Sequence, residues 1–295
     1  MRDLARRAVL LKDFSSIERY RYHVMTMAFF RDDPNTSFEF TDYTPVPGNA
    51  PDITPRSEPV PVIAGKLRTP VIDGILARKW LTELMQRSVE NAAATMIVGR
   101  AGTGKTALAA EFVRGRSDVS WYTIDAADGD WRVFQTYFRA VVLGESAGKR
   151  PGGKAAKVNF PNCDSPLDLF ADVTAGLELQ GENWPAIIVL DGIHHLFDQT
   201  WFGEFFDYLI NSLPLGSHVV MLSRSKPPTP IWRLRSKQVL NVIDEKLLTF
   251  SLAEAEQLLA KYNARIDDVE AAVIESFGRV GGLIDKIGSK SARTS

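Results

Sequence analysis

The sequence predicts an α/β fold: a parallel sheet between two helical layers, followed by a short helical domain. Two observations carry this. The strand candidates are continuous apolar runs rather than alternating ones, which is how strands buried on both faces read. They also alternate with segments of helical spacing, the pattern that parallel crossovers require.

Each element follows in order. Residues 1–30 have helical character, through LARRAVLL and SSIERYRYHVMTMAFF, and Asp32, Asp33 and Pro34 should stop that helix. TPVPGNAPDITPRSEPVPV (44–62) is too rich in proline to be helical and reads as an extended linker or strap. TMIVG (95–99) is a strand, with a helix from Lys105 to Val113 after it. VSWYTID (119–125) is a second strand, and DWRVFQTYFRAVVLG (130–144) has the helical spacing of Trp131, Phe134, Tyr137, Phe138 and Val141. ESAGKRPGGKAAK is a loop. PLDLFADVTAGLEL (166–179) is a helix, AIIVLD (186–191) a strand, WFGEFFDYLINSL (201–213) a helix, HVVMLS (218–223) a strand and VLNVI (239–243) a last strand. Ser251 with Glu254 three residues on forms a capping box that opens a helix over 251–262, and another is expected over 268–278. The boundaries read as 1–43 for an N-terminal helical extension, 44–63 for the linker, 64–245 for the sheet domain and 246–295 for the helical domain.

Composition narrows the function classes. The chain has 295 residues, 45% of them hydrophobic, enough to bury one large core or two smaller ones. The 35 Lys and Arg balance 36 Asp and Glu, a formal net charge of −1, so nothing demands a nucleic acid or an anionic membrane surface. No apolar run is long enough to span a bilayer, and AVLL near the N-terminus is too short for a signal peptide. The single cysteine, Cys163, forms no internal disulfide and fits a reducing compartment; it reads as an incidental thiol. A cytoplasmic protein is expected.

The chemistry is concentrated in GRAGTGKT (99–106), which fits G-x-x-x-x-G-K-[ST] between an apolar strand and an Ala/Leu-rich helix. Glycines let the backbone close around phosphate oxygens, so N–H groups of Gly102, Gly104, Lys105 and Thr106 should face a phosphate, within a cradle running from Gly99 through Ala101 and Thr103 to Ala107. Lys105 adds charge at the β and γ positions, and the Thr106 hydroxyl is a Mg²⁺ ligand. With this motif the fold class becomes a P-loop NTPase three-layer sandwich. Asp191 closes an apolar strand and is the natural second Mg²⁺ group. Arg224 follows the strand 218–223, at the sheet edge where ligands bind, and reads equally as a γ-phosphate sensor or as an Arg that caps the strand or pairs with a surface acid. His194 and His195 are adjacent, which should point them apart; no metal-ligand spacing surrounds them, so a structural role is expected. WFGEFF (201–206) reads as a core-facing helix rather than a stacking platform for bases.

With these landmarks placed, the chain resembles the nucleotide-binding module of MalT-like regulators, STAND-class P-loop ATPases, over about residues 64–285. KLRTPVIDGILARKWLTELM (66–85) is similar to the family's opening segment, with an Arg before a helix. VSWYTIDAADGDWRVFQTYF looks like its second-strand block. SRSKPPTPIWRLRSKQVLNVIDEKLLTFSLAEAEQLL carries the SR-x-x-P-P, RLR and F-[ST]-x-x-E-A elements. The resemblance implies an ATP/ADP switch that opens and self-assembles with inducer and ATP. It implies Ile75, Leu76 and Arg78 near adenine, Arg224 as phosphate sensor, and Lys105, Thr106 and Asp191 in the roles given above.

The sequence departs from the family at three places. The second acid that usually follows the first is here Gly192. GRVGGLIDKIG (278–288) lacks the proline of the family's G-x-P element. The winged-helix, repeat and helix-turn-helix modules of family members have no room in these 295 residues, so this chain is not expected to bind DNA directly. The expected function is therefore a regulatory module that binds ATP or ADP with Mg²⁺ at micromolar affinity and hydrolyses slowly or not at all, since losing a general base costs about 10²–10⁴ in rate. One alternative is an active ATPase whose base is Asp125, Asp128 or Asp130, or less readily Glu111, although a solvated acidic turn is the plainer reading of that trio. Another is a scaffold whose first 60 residues bind a protein partner or mediate self-association.

Overall fold

Five parallel strands hydrogen-bond in the order β2-β3-β4-β1-β5: β1 (Ala94–Val98), β2 (Val119–Thr123), β3 (Ile187–Asp191), β4 (His218–Ser223) and β5 (Leu240–Ile243). The computed structural model describes residues 60–74, 76–144, 162–263 and 268–291. The predicted N-terminal helix, most of the linker and the 145–157 loop lie outside the described residues.

The helices are α1 (Lys79–Asn91), α2 (Lys105–Val113), α3 (Trp131–Val142), α4 (Pro166–Gln180), α5 (Phe202–Asn211), α6 (Ile231–Ser236), α7 (Glu245–Leu248), α8 (Leu252–Lys261), α9 (Val269–Glu275) and α10 (Val280–Ser291). The sheet divides its side chains between two cores because successive residues of a strand point to opposite faces. Met96 and Val98 of β1, with Ile188 and Leu190 of β3, join the layer of α3, α4 and α5. Ile97, Ile187 and Val189 join α1 and α2 on the other face. The first core is dominated by aromatics: Phe134 meets Phe205 edge to face with ring centroids 4.7 Å apart, and Phe138 meets Phe205 at 5.4 Å. Each such buried ring stabilises the fold by about 1.5–3 kcal/mol. Phe202, Phe205 and Phe206 are all buried, as the core-facing reading of 201–206 expects. A small third core of Phe250, Ala255, Leu258, Ala272 and Leu283 holds the helical part together.

Differences from the expected elements have local causes. The second strand stops at Thr123, because Asp125 turns the chain by capping a 3-10 turn, Ala126–Gly129. The helix expected to reach 278 ends at Glu275, because Phe277 and Gly278 adopt positive φ. The Ser251–Glu254 capping box forms as read, and opens α8 at Leu252. Periodicity gave no sign of α6, α7 or α10, which are short or glycine-rich. Val60 and Val62 pack against the first core, so the end of the Pro-rich segment lies on the sheet domain.

Candidate functional site

The 99–106 loop joins β1 to α2. Gly102 (φ 76°) and Gly104 (φ 88°) take left-handed conformations, which a glycine adopts without a Cβ penalty. The loop is pinned at three points: Gly99 N–H donates to Ser223 O at 3.1 Å, the buried Thr103 hydroxyl donates to Arg100 O at 2.9 Å, and Arg100 Nε pairs with Glu245 Oε1 at 3.0 Å. Lys105 Nζ lies over the loop and donates to Gly99 O at 2.5 Å and Arg100 O at 2.9 Å. Burial lowers its pKa; Asp191 and Glu245 pull the other way, and Arg224 adds to the lowering.

Asp191 ends β3, two strands from β1, yet Thr106 Oγ1 at the start of α2 donates to Asp191 Oδ2 at 2.9 Å. The two residues singled out for Mg²⁺ therefore meet, beside Lys105. Burial raises the Asp191 pKa, and the Thr106 hydrogen bond and Lys105 only partly offset this. A half-buried carboxylate whose direct partner is a neutral hydroxyl, next to an ammonium, suits a hard divalent cation held between hydroxyl and carboxylate. Arg224 follows β4, the strand between β1 and β3, and is exposed.

Position 192 has no room for a side chain. Gly192 has φ 95°, and its N–H donates to Leu222 O at 3.0 Å, holding the turn against β4. A Cβ built there would lie 2.4 Å from Ile124 O, a backbone atom that no rotamer change can move aside.

The acidic turn after β2 is otherwise engaged. Lys66 Nζ lies 2.8 Å from Asp125 Oδ2 and 2.8 Å from both oxygens of Asp128. Asp128 is fully buried, which corrects the solvated-turn reading at that residue, whereas Asp125 and Asp130 are exposed as that reading expects; Asp128 also accepts from Asp125 N–H at 2.8 Å. The Lys66 hydrogen bond holds the Asp125 pKa down, against a smaller effect of burial. For Lys66, burial pulls the pKa down but the bonds to both carboxylates outweigh it. Asp130 caps α3 by accepting from Arg132 N–H and Val133 N–H. Glu111 pairs with Arg114 at 2.9 Å.

Beside the loop, an apolar cavity is lined by Leu76, Arg78, Ala107, Phe250, Leu258 and Tyr262. Ile75 lies outside the described residues. Arg78 is a clasp as well as a lining residue: its Nε meets Glu254 Oε1 at 2.7 Å, its Nη1 and Nη2 donate to Leu248 O and Thr249 O at 2.8 and 3.0 Å, and its guanidinium lies 4.6 Å over the Phe250 ring. It ties the opening segment to the helical part. The GRVGG stretch also reaches the loop: Gly281 N–H donates to Gly102 O at 2.9 Å, and a Cβ on Gly281 would fall 2.9 Å from Gly102 Cα. A proline at 281 would lack that N–H. His194 and His195, expected to diverge, pack ring on ring at 4.2 Å because a 3-10 turn, Ile193–Leu196, carries them.

Lys66, Gly281 and the closed surroundings of Gly192 were not found from the sequence. Lys66 is a lone cation 59 residues before Asp125, and only the folded turn brings it there.

No family model matches the chain. It is 29% identical over 170 residues to the HTH-type transcriptional regulator MalT of Vibrio cholerae, covering 57% of this chain and 18% of the relative. The MalT regulator of Serratia proteamaculans is 29% identical over 198 residues, covering 66% and 21%. The chain thus spans about a fifth of the length of these curated relatives. Among solved structures, a Walker-type ATPase of Pyrococcus abyssi aligns with a TM-score of 0.47 at 18% identity, over 71% of this chain and 66% of that one. The sequence similarity to MalT regulators agrees with the sheet order and the phosphate loop on a MalT-like P-loop nucleotide-binding module.

Proposed function

We propose that this chain is an ATP/ADP-binding regulatory switch with weak or absent hydrolysis. The observation that carries the reading is Gly192. Binding rests on Gly99–Ala107, Lys105, Thr106 and Asp191, which the fold brings together. Fast turnover needs a second acid, and the backbone at 192 excludes one. The other acids near the sheet edge do not replace it: Asp125 and Asp128 are held by Lys66, and Asp130 caps a helix. When bound, Mg²⁺ supplies charge neutralisation between the phosphates. Thr106 and Asp191 would hold it, and Arg224 would serve as the sensor of the terminal phosphate.

The similarity to transcriptional regulators supports placing this module in a cytoplasmic regulatory protein, with a protein partner or a second copy as the reader of its nucleotide state. Among the described residues no helix is long and apolar enough to cross a membrane. Calorimetry with Mg²⁺ is the test. ATP and ADP should bind in the micromolar range, at roughly −8 kcal/mol. Asp191→Asn should weaken Mg²⁺-dependent binding by about 10–100-fold. Absence of binding by the unaltered chain would overturn the switch reading. Turnover well above one per minute would overturn the low-hydrolysis half alone.

A further inference from the structure

The two outer strands of the sheet have different neighbours. Beside β2 lies the 3-10 turn Ala64–Leu67, and Tyr137 holds the chain just before it, accepting from Ile63 N–H at 3.0 Å and donating to Pro61 O at 3.2 Å. β5, at the other end, has no strand on its outer side among the described residues. Ala94 N–H donates to Val239 O at 3.0 Å, so Asn241 and Ile243 also turn their backbone groups to β1, while Leu240 and Val242 turn theirs outward. An open edge of this kind is a template for a further strand, and proteins usually cover it. A groove of about 650 Å³ follows this edge. One wall is α1, which packs in the second core and contributes Leu84 and Arg87; the other is α6, which packs against the first core and contributes Trp232 and Arg235. The walls therefore stand on opposite faces of the sheet. Trp232 and both arginines are exposed, and neither guanidinium has a hydrogen-bond or ion-pair partner among the described residues. Tryptophan and arginine are the side chains most enriched where a partner segment docks.

Asn241 enters the groove already oriented. Ala92 O accepts from His218 Nδ1–H at 3.0 Å, so Nε2 accepts from the Thr95 hydroxyl at 2.8 Å. Thr95 in turn accepts from the Ser88 hydroxyl at 2.6 Å, and Ser88 accepts from Asn241 Nδ2–H at 2.9 Å. The carbonyl at one end fixes every proton along this chain. It leaves Asn241 with Oδ1 and one N–H on the groove side, an acceptor and a donor side by side, which is what a peptide group pairs with.

We propose that the chain's own segment SFEFTDYT (37–44), which lies outside the described residues, docks in this groove as an added strand on β5. Charge and spacing both fit. Pro34 and Pro45 bracket the segment, and its aromatic and β-branched residues suit a strand. With a period of two, Phe38, Phe40 and Asp42 share one face, which meets Trp232 and Arg235, and Glu39 is on the other, which meets Arg87. Two unpaired guanidinium groups on opposite walls thus receive two carboxylates on opposite faces of one strand. The reach is sufficient. The fifteen residues 45–59 span about 45 Å when extended as a proline-rich linker. From Val60, which packs against the first core, the sheet is only about 20 Å across at the usual strand spacing.

The test is hydrogen–deuterium exchange on the full chain. The outward amides of Leu240 and Val242 should exchange slowly in the unaltered chain, a readout that needs no variant to fold. Glu39→Lys with Asp42→Lys should speed both by about ten-fold, as expected for one lost backbone hydrogen bond at each. Adding Arg87→Glu and Arg235→Glu to that variant should restore slow exchange, which a merely loosened edge would not do. Carbodiimide coupling of an Arg87→Lys, Arg235→Lys chain should then join Glu39 or Asp42 to the introduced amines. In an equal mixture of ordinary and nitrogen-15 chains, each coupled product should carry a single label. Fast exchange at Leu240 and Val242 in the unaltered chain, exchange indifferent to the acid replacements, or no coupling would overturn the proposal. Products of mixed label would overturn it in favour of a second copy of the chain as the occupant.

Discussion

Two carboxylates near the carboxyl ends of neighbouring strands have opposite fates. Asp128, just past β2, is fully buried and receives a fixed ammonium and a backbone N–H, all at 2.8 Å. Asp191, at the end of β3, is half-buried and receives a neutral hydroxyl at 2.9 Å. The first is satisfied inside the protein and fixes the turn of the chain. The second has been desolvated without a direct cationic partner, and its raised pKa records that unmet demand. Both follow an apolar strand in the sequence. Only their partners tell the satisfied acid from the unsatisfied one.

The largest effect should come from breaking the satisfied pair. Lys66→Met leaves a charge buried at Asp128 and should destabilise the fold by about 3–5 kcal/mol, read by urea unfolding. Adding Asp128→Asn should return a large part of that loss, because the stranded charge is gone. Asp191→Asn should leave stability unchanged or slightly higher, since it removes a desolvated charge, while weakening Mg²⁺-dependent nucleotide binding. If Lys66→Met were as stable as the parent but lost nucleotide, Asp128 would belong to the site and the contrast would fail.

This contrast also marks where the sequence stopped being informative. The sheet was legible because its strands are buried on both faces and so are continuous apolar runs; the P-loop was legible because phosphate binding imposes glycines at fixed spacing. Thr106 was legible from the motif and Asp191 from its place at the end of an apolar strand, and the fold brings the two together. The Lys66 clasp was not, since no spacing rule links a lysine to acids about 60 residues away. The Arg78 clasp was hidden for the same reason: an arginine expected near adenine is held by Glu254 and three carbonyl oxygens. Helix α10 was missed because Gly281 and Gly282 dilute its periodicity, although Gly281 lets it sit against Gly102 and Gly282 lets it sit against Ser276.

A second break is to force an acid into the empty position. Gly192→Asp should not raise turnover, and should cost about 1–3 kcal/mol from the positive φ and the close carbonyl. Gly192→Ala should lose a similar amount, which would assign the cost to the Cβ and not to the charge. An increase in hydrolysis in Gly192→Asp with no loss of stability would show that the turn can open, and the low-turnover reading would then have to be abandoned.

The smallest effect sharpens the contrast with a buried group far from the phosphate loop. His218 is fully buried on β4; Nδ1 lies 3.0 Å from Ala92 O and Nε2 2.8 Å from Thr95 Oγ1. A carbonyl only accepts, so Nδ1 carries the proton and Nε2 accepts from Thr95. Burial drives the pKa from 6.5 to about 4, with the Ala92 bond pulling slightly the other way. The unfolded chain therefore takes up a proton that the fold refuses. Stability from this group is present above pH 6.5 and is lost as pH falls toward 4, by about 1 kcal/mol between pH 7 and 5.5. Asp191 has the opposite sign: its folded pKa lies above 3.8, so its contribution is lost as pH rises from there. Stability measured from pH 7 to 5.5 should consequently decline in the parent and decline less in His218→Asn. Identical slopes would mean that the folded protein protonates His218 after all, and that burial at this position does not hold the ring neutral.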